Sequence, residues 1–159
     1  MKFKAAIKEQ PERFVAYMRH IGPYPEIGKA WEKLMGWAGA KGLLQFPTTE
    51  MLAVYYDNPK TVDESILRSD VCITVPAGTV VDGEVKTMTI PGGTFAVAHV
   101  EIDVSEYCLA WDKLLGEWMP ANSATPDASR MCYELYLNDP NQHPEKKHIV
   151  DICEPMTKP

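Results

Sequence analysis

No apolar stretch of this chain approaches the ~20 residues of a membrane-spanning helix, so nothing in it argues for a transmembrane segment. The start, MKFKAAIKEQPERF, carries lysines but no apolar core region, which excludes a secretory signal and leaves the cytoplasm as the expected compartment. No run of Lys or Arg exists, and the net charge is −6, so the basic face that phosphate neutralisation needs is missing and no direct nucleic-acid binding is expected. Long-range attraction runs instead towards cationic small molecules. Four cysteines, Cys72, Cys108, Cys132 and Cys153, form neither a CxxC pair nor a Cys/His ligand spacing, so free thiols are expected and no metal site. P-loop, Gly-rich dinucleotide and Ser-His-Asp signatures are also missing, and no cofactor is expected.

What remains is ordinary for a globular protein: 45% hydrophobic and 24% charged residues over 159 positions, enough for one domain or two small fused modules. Short β-compatible runs are punctuated by turn signals. They predict strands over 3–9, 14–21, 51–56, 68–75, 84–90, 95–102, 131–138 and 148–154. Apolar residues at helical spacing predict a helix over 25–41, entered at Pro25 and closed by Gly42. A second is predicted over 106–119, with Ser105 or Asp103 as N-cap.

The chain repeats itself. Ala30-Trp31-Glu32-Lys33-Leu34 returns as Ala110-Trp111-Asp112-Lys113-Leu114, displaced by 80 positions. Tyr55-Tyr56-Asp57-Asn58-Pro59 answers Tyr136-Leu137-Asn138-Asp139-Pro140, and Phe14-Val15-Ala16 answers Phe95-Ala96-Val97, both at 81. This predicts a single α+β domain over 1–159 made of two tandem ββαββ modules, about 1–82 and 83–159. A pseudo-two-fold axis relates them, their sheets are antiparallel, and a central ligand cleft lies between.

Glu134 stands out. On the strand Met131–Asn138, alternation puts Met131, Tyr133, Leu135 and Leu137 on a core face and Cys132, Glu134 and Tyr136 on the other. A carboxylate on so apolar a strand reaches solvent, has a protein partner, or receives a ligand, because burying it alone costs several kcal/mol. At the 81 offset its counterpart is Ala53, so the symmetry fails where the acid stands. Tyr55 and Tyr136 are either satisfied core aromatics or walls of a pocket able to stack on a flat ligand. Trp31 and Trp111 are expected to pack in the core. Tyr24 is either a lid or a plain loop residue. His99 is expected to be a partly buried, satisfied residue, and His143 and His148 surface groups.

The segments His20-Ile21-Gly22-Pro23-Tyr24, Ala53-Val54-Tyr55-Tyr56-Asp57-Asn58-Pro59, Thr74-Val75-Pro76, Ile90-Pro91-Gly92-Gly93-Thr94-Phe95 and Cys132-Tyr133-Glu134-Leu135-Tyr136-Leu137-Asn138 together resemble the GyrI-like proteins. This is the small-molecule-binding domain also attached to AraC-type and multidrug-sensing regulators. The resemblance implies an SHS2-type pair of modules around a cleft, with Glu134 at its acidic floor and aromatics from the Trp111 helix nearby. It implies a stand-alone member, without a helix-turn-helix, that captures aromatic, cationic drugs or toxins through Glu134, Tyr136, Tyr55, Trp111 and Tyr24. Its alternatives are a hydrolase of cyclopropane-containing DNA alkylators, with Glu134 as the catalytic acid–base, and, by analogy alone, a modulator of DNA gyrase.

Overall fold

The computed structural model describes residues 1–157. Its secondary structure follows the punctuation of the sequence. Eight strands form: β1 Lys2–Gln10, β2 Arg13–Ile21, β3 Met51–Tyr55, β4 Arg68–Thr74, β5 Lys86–Ile90, β6 Gly93–Ile102, β7 Cys132–Tyr136 and β8 His148–Pro155. Helix α1 covers Gly28–Ala40 after a 3-10 turn at Tyr24–Glu26 that begins the helical path one residue before Pro25. Helix α2 covers Tyr107–Lys113 and continues through a π-helical turn, Leu114–Trp118, into a last α-turn, Met119–Ala121. Asp103 caps this path through a capping box with Glu106, which donates no proton but accepts the Asp103 N–H at 2.8 Å.

Two compact units divide the chain, one from 1–11 and 91–159, the other from 12–90. The expected modules divide near 82 instead. The difference is the strands β1 and β5: β1 pairs antiparallel with β6 rather than with its sequence neighbour β2, and β5 pairs with β2 rather than β6.

In the first unit the strands run in the order β1-β6-β8-β7, all antiparallel. Residues opposite one another in such a ladder share a face. Ala98 of β6 pairs with Ile152 of β8, and Ile152 pairs with Glu134 of β7. That face is the one α2 covers: Ala110 and Leu114, with Met119, pack on Ala96, Ala98, Val100, Ile102, Val150 and Ile152. Small residues at Ala96, Ala98 and Ala110 let helix and sheet approach closely.

In the second unit the order is β3-β4-β2-β5, again antiparallel. Ala30, Leu34 and Ala38 of α1 pack on Ala16 and Met18 of β2 and Val71 and Ile73 of β4, with Trp31 and Met35 partly buried beside them. The fourth strand enters differently in the two units: β5 follows the β3–β4 pair and flanks β2, whereas β1 precedes β6 in the chain and flanks it. No helix among the described residues is long and apolar enough to cross a membrane.

Candidate functional site

β7 differs from its expected pattern. The sequence places the core on the Tyr133 and Leu135 face, but Tyr133, Glu134 and Leu135 are all buried, while Leu137 is exposed. The helix-covered face is the one carrying Cys132, Glu134 and Tyr136. Alternation alone identifies two faces; it cannot say that a helix from elsewhere in the chain will cover the polar one.

Glu134 is 3% exposed. Its two oxygens are held separately. The Trp111 indole N–H donates to Oε2 at 2.7 Å, and the Tyr136 hydroxyl donates to Oε1 at 2.6 Å. Each bond has a simple local origin. Tyr136 lies two residues along the strand, on the same face, and Trp111 follows Ala110, whose methyl packs against the sheet and sets the helix down beside β7. Trp111 and Tyr136 are both partly buried against the same core. Trp and Tyr are suited to this position because each couples a large apolar ring to one polar hydrogen.

A second ring pair lies within reach of the Glu134 charge. The Tyr107 hydroxyl and Nδ1 of His148 are 2.6 Å apart, with the rings edge to face at 5.4 Å. Burial raises the Tyr107 pKa and the nearby Glu134 carboxylate raises it further, while burial lowers that of His148. A raised phenol and a lowered imidazole make neutral partners, so Tyr107 is the donor and Nδ1 the acceptor. His148 is therefore a half-buried member of β8, correcting the expectation of a surface group. The reason is register: the strand begins at His148, opposite Ile102, on the helix-covered face. His143 is also engaged, with Nε2 at 2.7 Å from Glu101. His99 is about half exposed and pairs with Asp151 at 2.7 Å.

Glu154 is a further polar group on this face. It follows Ile152 by two residues, so it projects the same way, and the Cys132 thiol hydrogen-bonds its carboxyl. Burial lifts that carboxyl to about 7, although the thiol bond pulls it down. Tyr107 and Glu154 carry no expectation from the sequence, and His148 reads there as a surface group. The available signal was the alternation His148, Val150, Ile152, Glu154 along the last strand, which aligns both polar ends with two core residues.

Tyr24 and Tyr55 lie in the second unit, where their rings meet edge to face at 4.7 Å. The Tyr24 hydroxyl donates to the Asp57 carbonyl at 2.7 Å and accepts the Asp57 N–H at 3.1 Å. It is tied to the turn after β3. All four cysteines carry free thiols. Among the described residues no cluster of His, Cys, Asp and Glu is arranged to hold a metal ion.

Taken together, the first unit presents a buried carboxylate held by two aromatic donors, flanked by a neutral phenol–imidazole pair and by a second acid. Known proteins share this fold and sequence. The profile of the GyrI-like small molecule binding domain matches residues 4–156. DNA gyrase inhibitor 2 of Dickeya dadantii (strain 3937) is 37% identical over 134 residues, which cover 81% of this chain and 82% of that protein. Among solved structures, the EcmrR C-terminal domain is similar at a TM-score of 0.78 with 22% identity, covering 100% of both chains. SAV2435 bound to tetraphenylphosphonium is similar at 0.58 with 10% identity, covering 99% of this chain and 94% of that one. The structural matches establish a common fold, and the profile spans nearly the whole chain: it belongs to the family of GyrI-like small-molecule-binding domains.

Proposed function

We propose that this chain captures aromatic, cationic small molecules, with Glu134 as the counter-charge and Trp111 and Tyr136 as the aromatic groups that hold it in place. The observation that carries this reading is a carboxylate 3% exposed whose two oxygens accept bonds from an indole and a phenol. Neutral donors stabilise a carboxylate without cancelling its charge, so it keeps its attraction for a cation. Their rings offer faces to the same guest, each worth roughly 0.5–2 kcal/mol towards a cation. The net charge of −6 favours the approach of such a guest. Tetraphenylphosphonium, which SAV2435 binds, has this chemistry, a positive centre wrapped in phenyl rings.

Titration with tetraphenylphosphonium and with neutral triphenylphosphine oxide, read by tryptophan fluorescence, tests this. Glu134→Gln is expected to weaken the phosphonium about tenfold or more and the oxide less than about twofold, tenfold being ~1.4 kcal/mol. Equal weakening of both removes the counter-charge role.

The relatives support a second reading, inhibition of DNA gyrase, which is the name of the Dickeya protein. Supercoiling of relaxed plasmid by purified gyrase, with and without the chain in excess, decides it: unchanged supercoiling refutes this reading.

A further inference from the structure

Glu154 has no part in the reading above, yet its place on the sheet relates it to Glu134. Glu134 pairs across the ladder with Ile152, and Tyr133 with Cys153. One further step sets Cys132 opposite Glu154, which agrees with the thiol–carboxyl hydrogen bond between them. Cys132 and Glu134 are two residues apart on one face of β7, a separation of about 7 Å along a strand. Glu134 and Glu154 are therefore diagonal neighbours on one face of the β7–β8 ladder, at backbone positions about 7–8 Å apart.

Their exposures differ. Glu134 is almost fully buried, whereas Cys132, Glu154, Tyr136 and Trp111 all keep part of their surface in solvent. On the β6 side Glu154 faces Ala96, which adds no charge and little bulk. The other acids on this face are Glu134 and, on β1, Glu9, which lies opposite Thr94 and accepts its hydroxyl at 2.5 Å, while His148, the remaining titratable group of β8 there, lies at the far end of the strand and is engaged by Tyr107.

We propose that Glu154 is the second anionic anchor of the Glu134 site, so that its preferred guests are aromatic molecules with two cationic centres spaced to match these diagonal positions, roughly 7–8 Å. This rests on Glu134 being the counter-charge for the first centre. A carboxyl that burial holds at about 7 is close to half ionised at neutral pH, and a cation set beside it favours the ionised form. The second centre of a dication thus gains an interaction that a monocation of the same shape does not make.

The test compares p-xylylenediamine, whose two amines are separated by a benzene ring, with 4-methylbenzylamine, the same skeleton with one amine. Calorimetric titration at pH 8, where Glu154 is mostly ionised, is expected to favour the diamine about tenfold in the wild type. Glu154→Gln is expected to bring the diamine-to-monoamine ratio below about twofold, and lowering the wild type to pH 6 is expected to shrink it in the same way. A wild-type ratio below twofold at pH 8, or one that survives both Glu154→Gln and pH 6, overturns the proposal. Glu134→Gln separates the two readings: if both amines bind it as they bind wild type, Glu134 is not the counter-charge, whatever Glu154 does.

Discussion

Trp111 sets its indole N–H 2.7 Å from Oε2 of Glu134, joining the helix to the neighbouring sheet face through a polar bond beside an apolar cluster. Truncating one partner of such a bond leaves the other buried. Trp111→Phe keeps an aromatic ring but removes the donor, and the loss of a hydrogen bond to a charged group costs about 1.5–3 kcal/mol. A fall of that size in urea-unfolding free energy is expected, and Tyr136→Phe, which removes the bond to Oε1, is expected to cost a similar amount. A loss below about 0.5 kcal/mol in both variants contradicts the assignment of these groups as the carboxylate's supports.

The strands and helices were legible because their signals are local. Gly22-Pro23, Asp57-Asn58-Pro59 and Pro91-Gly92-Gly93 each fall where a strand has to end, whatever surrounds them. Glu134 was legible as an anomaly, since any acid on so apolar a strand needs an explanation. Its Trp111 partner came only with the family resemblance, because 23 positions separate the two and the helix-to-sheet contact is tertiary. Cys132 opposite Glu154, and Tyr107 against His148, were out of reach for the same reason: each depends on ladder register or helix placement. The identity of β1's partner was likewise hidden, as a Gln10-Pro11 turn reads like a hairpin whether or not the strands it joins pair.

Asp70 in β4 is a fully buried carboxylate on the second unit, bound by the Arg19 guanidinium and by the Tyr56 hydroxyl at 2.6 Å. Arg19 is 40% exposed and also lies 4.9 Å from the Tyr56 ring centre. The two sides of this pair are unequal. Removing Asp70 frees an arginine that can turn to water, whereas removing Arg19 leaves a carboxylate in the core with less support. Arg19→Ala is therefore expected to destabilise by about 3 kcal/mol, beyond the ordinary effect of a half-exposed side chain. Adding Asp70→Asn to it is expected to recover part of that loss. A strictly additive double variant in denaturant unfolding excludes this coupling.

Two groups on the α2-covered face give stability opposite dependences on pH. Burial depresses His148, so below about 6.5 the unfolded chain takes up a proton that the folded one resists, and stability falls as the pH drops. Glu154 is raised to about 7, so the folded chain holds a proton that the unfolded one has released, and stability falls as the pH rises from about 4.5 to 7. Glu154→Gln is thus expected to be more stable than wild type at pH 8, on the order of 2 kcal/mol, with the gain vanishing by pH 4.5. His148→Gln is expected to lose less stability than wild type between pH 7 and 5. Unfolding curves at four or five pH values check both signs, and a Glu154→Gln gain that grows with acidity contradicts the assignment.

Arg130 staples the start of β6 to Met156, just after β8. Its guanidinium donates to the carbonyls of Gly92 at 3.2 Å, Thr94 at 3.0 Å and Met156 at 2.8 Å, and its Nε to Asp127 at 3.0 Å, above the Phe95 ring. Room for it depends on Gly93, where φ is +129° and a Cβ would stand 2.6 Å from Nη1. Gly93→Ala therefore combines a backbone conformation that L-residues rarely adopt with a clash against a side chain held by four acceptors, and a loss of about 2–3 kcal/mol is expected. Arg130→Ala removes the bonds and the clash together, so the double variant is expected to be clearly less unstable than the sum of the two singles. Asp127, drawn down to about 2 by Ser129 and Arg130, adds a pH signature: its contribution is present above about 4 and is lost as the pH falls towards 2. If calorimetric unfolding shows Gly93→Ala and Arg130→Ala to be additive, the glycine is kept for its backbone angle alone.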